Sequence, residues 1–326
     1  MSDLIARDTH RLSTNYGEDH GIPLWLYLIS SDEHNALLDA GIASTPAHLG
    51  VELAGADVTL ADITLLVNSH AHADHMGGDA VVIARSKAKL AAPLREVEWI
   101  EERDRYVSEL WEAYPGVLEI DSEKGRQIRE MCGPNARVDI LLRDGDHLSV
   151  GTHELEVIIT GGHSPAHLVL LDLETRVLFT FDFVQGHGTA RLDGPTLLAP
   201  LYCDRRQYLS GLLRLLEEDF ELLAPSHGKV LDKREGRRHI EDSIAFVHEL
   251  DQYVLNLLTE EGAISTREVA SRIGFEFGNF GGVNLQTASL AEAHLRDLGR
   301  LGRAEPHWSL RLAGKSRDTE AGVVLR

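Results

Sequence analysis

Apolar residues in this chain gather into short runs separated by glycine, proline and acidic turns. Residues 23–30 (Pro-Leu-Trp-Leu-Tyr-Leu-Ile-Ser) are β-prone and too few for a helix, so they read as a strand, with 35–39 as its hairpin partner before Ala40-Gly41. Thr45-Pro46 offers a helix start with proline in the first turn, running to about residue 56. Ile63-Thr-Leu-Leu-Val67 reads as a buried strand that runs straight into Asn68-Ser-His-Ala-His-Ala-Asp-His75, and Gly77-Gly78 opens a turn and another helix. Residues 96–129 are charged, with spaced Trp99, Tyr106, Leu110, Trp111 and Tyr114, and predict helices laid over the body of the fold with a break near Pro115-Gly116. Strands return at 138–142, 155–160, 168–173 and 177–181, a helical stretch covers 212–216, and a last short strand at 222–224 ends in Pro225-Ser-His-Gly228.

Beyond Val230 the pattern changes to helical spacing. Residues 234–261 form an amphipathic helix with Ile244, Val247, Leu250, Val254 and Leu258 on one stripe. Ser265-Thr-Arg-Glu268 is a capping box that starts a second helix over 267–273. A third helix carries Ala288, Ala291, Leu295 and Leu298 on one face, and 303–312 reads as a short hairpin. Three helices and a terminal hairpin describe a winged helix-turn-helix. The expected division is therefore a main domain over 1–234, with 96–129 inserted as a helical cap, and a winged-helix-like domain over 235–326.

Composition narrows the function. The 326 residues suit two unequal domains, and a formal net charge of -20 weighs against a polyanionic partner. Cys132 and Cys203 are the only cysteines and lie far apart, so no disulfide framework is expected, and a reducing compartment fits. The first fourteen residues carry Asp3, Arg7, Asp8 and Arg11 without an apolar stretch, and no run approaches a membrane span, so the expectation is a cytoplasmic protein without membrane attachment. The 17 histidines, many beside aspartates and small residues, turn attention to metal binding.

The strongest cluster is His70-Ala-His72-Ala-Asp74-His75, which places three imidazoles and a carboxylate within six residues at the mouth of a strand. Such N and O donors suit divalent ions of the zinc type. In a tight loop His70 and His72 can face one ion while Asp74 and His75 turn toward a neighbour. One loop cannot complete two coordination spheres, and three further candidates each follow a strand: His163 after Thr160-Gly-Gly, Asp182 after Val177-Leu-Phe-Thr-Phe181, and His227 after Leu222-Leu-Ala-Pro-Ser226.

With these motifs in hand, the sequence resembles the metallo-β-lactamase superfamily: His-x-His-x-Asp-His at 70–75, Thr-x-Gly-His-Ser-Pro-x-His at 160–167, a strand ending in Asp182, and Pro-x-His-Gly at 225–228. The resemblance, over about residues 20–232, implies an αββα sandwich in the α/β class. It also implies that His70, His72 and His163 bind one ion, that Asp74, His75 and His227 bind a second, and that Asp182 bridges both. Two departures stand out. Phe181 occupies the place before the bridging aspartate where many relatives have glycine, and no cysteine lies nearby as in true β-lactamases. Phe183, Val184 and Gln185 follow Asp182, where lactone hydrolases of the superfamily often carry a tyrosine. His167 reads as a histidine that orients a neighbour, and His187 as an exposed loop residue.

The expected enzyme is a hydrolase with two divalent metal ions, zinc first and iron or manganese as alternatives, in which Asp74 and Asp182 serve catalysis and a metal-bridging hydroxide attacks the substrate. The substrate expected is a small ester or thioester of the acyl-CoA type; a nucleic-acid phosphodiesterase or a lactone hydrolase is the alternative. Phosphoryl transfer calls for cationic clamps, yet neither 65–82 nor 160–175 contains a lysine or arginine. Residues 241–326 hold nine Lys/Arg against thirteen Asp/Glu, a net of -4, which argues against a nucleic-acid reader. The C-terminal domain is then expected to wall the pocket or form a homodimer contact, the 96–129 aromatics either to cover the metals or to pack as core, and Arg205 and Arg206 to meet the phosphates of a CoA carrier.

Overall fold

The computed structural model describes residues 2–32, 34–192, 197–261, 263–278, 282–300, 305–306 and 322–324. Seven strands run side by side in chain order: β1 (Asp3–Ala6), β2 (Thr9–Ser13), β3 (Trp25–Ile29), β4 (Asn35–Leu38), β5 (Ile63–Val67), β6 (Lys89–Pro93) and β7 (Ile140–Leu142). Pairing is antiparallel up to β4 and parallel from β4 to β7. The second sheet takes β8 (His147–Val150), β9 (His153–Ile159), β10 (Leu168–Asp172) and β11 (Val177–Phe181). After a small ribbon of β12 (Thr189–Ala190) and β13 (Leu197–Leu198), it adds β14 (Leu222–Pro225) and β15 (Leu231–Asp232).

Alternation along each strand explains why two sheets stack. Tyr27, Ile29, Ala36, Leu38 and Val67 point one way and form a closed core with Val157, Leu168, Leu170, Phe179 and Ala224 of the other sheet. Leu26, Leu28, Leu37, Leu66, Ile158, Val169 and Leu178 point outward into the helix layers. Strands buried on both faces read as continuous apolar runs, which is why β3, β5, β10 and β11 were legible. The expectation of an αββα sandwich holds. β1, β2, β6 and β8 are additional: β1 is largely exposed, and β6, Lys-Leu-Ala-Ala-Pro, is a central strand built on small residues of low β propensity.

Helices α1 (Tyr16–His20), α2 (Leu49–Ala54), α3 (Ala73–Met76) and α4 (Asp79–Arg85) accompany the first sheet. The 96–129 segment is helical as expected: α5 (Val97–Glu101), α6 (Arg103–Tyr106), a π turn at Val107–Trp111, and α7 (Ser122–Cys132). Helix α8 (Arg205–Glu217) starts earlier than its apolar stripe suggests because the Asp204 carboxylate caps it, accepting from the Arg206 and Gln207 amides. Then come α9 (Lys233–Glu261), α10 (Thr266–Glu276), whose Ser265 cap accepts from the Glu268 amide, and α11 (Leu285–Arg300). β16 (Ala263–Ser265) pairs with β18 (Gly322–Val324), which also pairs with β17 (Glu305–Pro306). The hairpin expected at 303–312 lies outside the described residues apart from β17. No described helix is long and apolar enough to cross a membrane.

The topology aims four loops at one edge. β9 and β11 are both antiparallel to β10, and β11 is parallel to β14, so all three end on the same side of their sheet. The Leu168 amide donates to Ser69 O and the Trp25 amide to Ser226 O, tying that edge to the end of the first sheet.

Candidate metal centre

Each expected ligand sits where a strand ends. After β5 the chain leaves the sheet, and the single turn of α3 carries Asp74 and His75 round to face away from His70 and His72. The loops after β9, β11 and β14 bring in His163, Asp182 and His227. All seven converge. Ligand atoms of His70, His72 and His163 lie within 4.8 Å of one another, and so do those of Asp74, His75, Asp182 and His227. Asp182 spans the two groups: one oxygen is 3.3 Å from His75 Nε2, and the other is 3.2 Å from His227 Nε2 and 3.9 Å from His163 Nε2.

Hydrogen bonds on the far side of each ring decide which nitrogen faces inward. His163 Nδ1 donates to Leu201 O at 2.7 Å, so the Nε2 of that neutral ring is a lone-pair donor; His227 Nδ1 donates to Pro23 O at 2.6 Å, so its Nε2 becomes one once the second ring proton leaves. Ser69 Oγ gives its one proton to the Asp39 carboxylate at 2.8 Å and must accept from His70 Nδ1 at 2.9 Å, which leaves His70 Nε2 unprotonated. His75 Nδ1 donates to Asp39 at 2.8 Å. The consequence is a crowd of nitrogens: His163 Nε2 stands 3.1 Å from His70 Nε2, neither atom carrying a proton, and 3.0 Å from His72 Nδ1. His75 Nε2 and one oxygen of Asp182, both buried, face each other at 3.3 Å without a well-formed hydrogen bond. Such a set fits a pair of cations.

Electrostatics agree. Burial, then the neighbouring imidazoles, holds His70 far below its ordinary value, and burial takes His163 down to about 4 although Asp182 opposes it. These rings stay neutral and available as ligands. Burial also disfavours charge on His227, but Asp182 and Asp74 outweigh it and raise that imidazole to about 10; His75 is raised in the same way by Asp182, Asp74 and Asp39. The four-residue group therefore demands positive charge, which a divalent ion supplies as well as protons do.

Several residues that the sequence reading passed over hold these ligands. Asp39, buried at the end of β4 with a positive φ of 64°, accepts from Ser69 N, Ser69 Oγ and His75 Nδ1. Glu96, also buried, accepts from Ala71 N, Ser164 Oγ and Ala166 N, bracing the first ligand loop against the second. An acid closing an otherwise apolar strand was the available signal for Asp39; Glu96 had none. Phe181 has φ 48°, so the residue before Asp182 does require the left-handed region that glycine enters without strain. Its ring is buried between the sheets. His167 is buried with its ring 4.7 Å from His70, outside both ligand groups, and His187 is an exposed residue 3.3 Å from Glu249.

Above the ligands lies a cavity of about 180 Å³. Tyr106, Leu110 and Trp111 of the cap, Met131 of α7, Tyr16 and Ile22, Leu198, Ala199 and Leu201, and Leu285 and Gln286 of α11 are among its walls, and Lys124 is the one lysine or arginine among the described lining residues. The cap aromatics divide their work. Tyr106 and Trp111 face the cavity, whereas Trp99 donates to Glu109 and Tyr114 to Ser289 Oγ. The expectation for Arg205 is corrected: its guanidinium is bound to Asp251 and, at 2.8 Å, to Asp297, so it joins α8 to α9 and α11 and is not free for a substrate phosphate.

A family model described as the metallo-beta-lactamase superfamily matches residues 23–227. Among curated relatives, the acyl-coenzyme A thioesterase MBLAC2 of Gallus gallus is 29% identical over 198 residues, spanning 59% of this chain and 66% of that protein. A hydroxyacylglutathione hydrolase of Maricaulis maris is 27% identical over 193 residues, spanning 59% of this chain and 56% of its own length. This chain thus matches two thirds or less of either relative. Among solved structures, a metallo-beta-lactamase family protein from Thermus thermophilus superposes with a TM-score of 0.74 at 20% identity, covering 99% of this chain and 100% of the other. A beta-lactamase domain protein from Burkholderia ambifaria gives 0.70 at 19%, covering 94% and 91%. At those identities the likeness is one of fold, and it extends over the C-terminal helices.

Proposed function

This chain belongs to the metallo-β-lactamase superfamily and is a hydrolase of that fold, and from that premise we propose that it hydrolyses small thioesters or esters of the acyl-CoA type with two divalent ions. The observation that carries the reading is the pair of adjacent ligand groups joined by Asp182 at the floor of a cavity walled on one side by apolar side chains. His70, His72 and His163 would hold one ion, Asp74, His75 and His227 the other, with Asp182 shared. The nitrogen-rich set favours zinc, with iron or manganese as alternatives. Bound there, the ions would lower the pKa of water toward neutrality and polarise the acyl oxygen.

The chain's own residues do the rest. Asp39 and Leu201 O fix the ring faces, so the ligand nitrogens need no reorientation. Leu110, Trp111, Met131, Leu198 and Leu285 exclude water and suit an acyl group. Both curated relatives named above act, by their names, on acyl thioesters, which supports the same substrate class here.

We further propose that residues 1–234 form the catalytic domain and 235–326 a winged-helix-like unit that serves as pocket wall. The arrangement of α9, β16, α10, α11, β17 and β18 supports this. Helix α11, which a nucleic-acid reader would present, buries Ala288, Ser289, Ala291, His294, Leu295 and Leu298, and its Arg296 pairs with Glu292 at 3.2 Å. Cys132 and Cys203 are unpaired, in keeping with a cytoplasmic setting. The test compares kcat/KM for acyl-CoAs and simple esters with that for phosphodiesters, RNA and lactones at fixed metal loading. Acyl-carbon substrates should win; a phosphodiester preference of about tenfold, some 1.4 kcal/mol in transition-state binding, overturns the reading.

A further inference from the structure

Ligand His163 and the C-terminal helices lie on opposite sides of one short segment, residues 201–208. On the inner side His163 Nδ1 donates to Leu201 O at 2.7 Å, and the Cys203 and Asp204 amides both donate to Gly162 O, at 2.7 and 3.1 Å. Gly162, with φ +84°, sits so close to α8 that a Cβ would meet Tyr208 N at 2.4 Å. The loop carrying His163 therefore has no slack against this segment.

On the outer side the segment is held by α11 and α9. Ser289 Oγ donates to Tyr202 O at 2.8 Å and accepts from Tyr114 of the cap at 3.0 Å. The Asp251 carboxylate can only accept, so His294 gives it the Nδ1 proton at 2.9 Å and is left with an Nε2 lone pair for the Tyr202 hydroxyl at 2.7 Å. Tyr202, Ser289 and His294 are fully buried. Hydrogen-bonded networks closed to water hold one geometry, because each lost bond leaves a buried polar group unpaired.

We propose that Ser289 and His294 are positioning residues for His163: through residues 201–204, α11 sets the orientation of that imidazole and thereby the metal affinity of the three-histidine group. The inference rests on the metal-centre reading above. The C-terminal helices would then act on the chemistry itself as well as walling the cavity, although neither residue touches a ligand.

The experiment titrates zinc, and cobalt followed by its absorption, into chelator-stripped wild type, Ser289→Ala, His294→Phe and His294→Gln, with thermal unfolding alongside. Wild type should bind two ions. Ser289→Ala and His294→Phe should weaken one of them by about tenfold and alter the cobalt spectrum, the order found when a partner behind a ligand is lost. His294→Gln, whose amide can donate to Asp251 and accept from Tyr202, should recover most of the affinity. Alanine is favourable inside a helix, so Ser289→Ala carries the test if His294→Phe does not fold. Unchanged affinities for both ions, even with lowered Tm, overturn the inference alone and leave these residues as packing. Equal weakening of both ions also overturns it. A wild type that binds no metal overturns the metal centre and this inference together.

Discussion

Replacing Asp39 by Asn should uncouple metal binding from folding. The change is isosteric, and Asn accepts the positive φ of 64° at this position as readily as Asp does. What changes is one oxygen, which becomes an NH2 group. Asp39 uses one oxygen for Ser69 N at 2.7 Å and the other for both Ser69 Oγ and His75 Nδ1 at 2.8 Å. If the amide nitrogen takes the second place, His75 Nδ1 must accept a proton instead of donating one. The ring proton then moves to Nε2, the atom aimed at Asp182 and needed for the ion. If it takes the first place, two donors face each other at Ser69. Either way a buried charge-assisted hydrogen bond is lost, about 1.5–3 kcal/mol, or roughly ten- to hundredfold in affinity for the ion of the four-residue group. Folding of the stripped protein should suffer less, because burial holds the Asp39 carboxyl above its ordinary value and a neutral amide carries no such desolvation cost. Zinc titration with parallel thermal unfolding measures both quantities. Affinity for both ions within about twofold of wild type would refute the reasoning.

Three further outcomes are expected. Asp182→Ala should lose metal and hydrolysis together, as elemental analysis beside an activity assay would show; full metal content would remove its bridging role. Metal binding should strengthen with rising pH. His227 is raised from its ordinary 6.5 to about 10, so the stabilisation it gains from Asp182 and Asp74 is complete below about 6.5 and lost as pH climbs through about 10, and the ion must displace that proton. Calorimetry in buffers of different ionisation enthalpy should therefore detect proton release near pH 7.5, and none would contradict the assignment. Arg205→Ala should lower Tm and leave KM for CoA esters unchanged, since Asp251 and Asp297 would lose their shared partner. Breaking a part-buried pair of this kind costs about 1–3 kcal/mol, and a rise in KM without loss of stability would restore a substrate-binding role.

The local features of this protein were decided by its sequence. His70 to His75 fall within one turn after β5, so any fold that ends a strand there presents three imidazoles and a carboxylate together. Continuous apolar runs made β3, β5, β10 and β11 strands because both faces of each are covered. The left-handed backbone at Phe181 fits the glycine that the family resemblance implied for the position before Asp182.

What depended on residues distant in sequence was left to the tertiary structure. Asp39 reaches His75 across 36 positions and Glu96 reaches Ala166 across 70; the apolar strand before Asp39 hints at a buried acid, but nothing near either carboxylate in sequence announces its partner. Arg205 and Arg206 look alike in sequence, yet side-chain exposures of 15% and 66% separate a part-buried brace from a surface cation. The partners of Arg205, Asp251 and Asp297, lie on helices that only folding brings to α8. The tie from α11 to His163 belongs to the same class. A hydrogen bond is directional and short-ranged, so which groups share one is settled when the layers close, and no local pattern records it in advance.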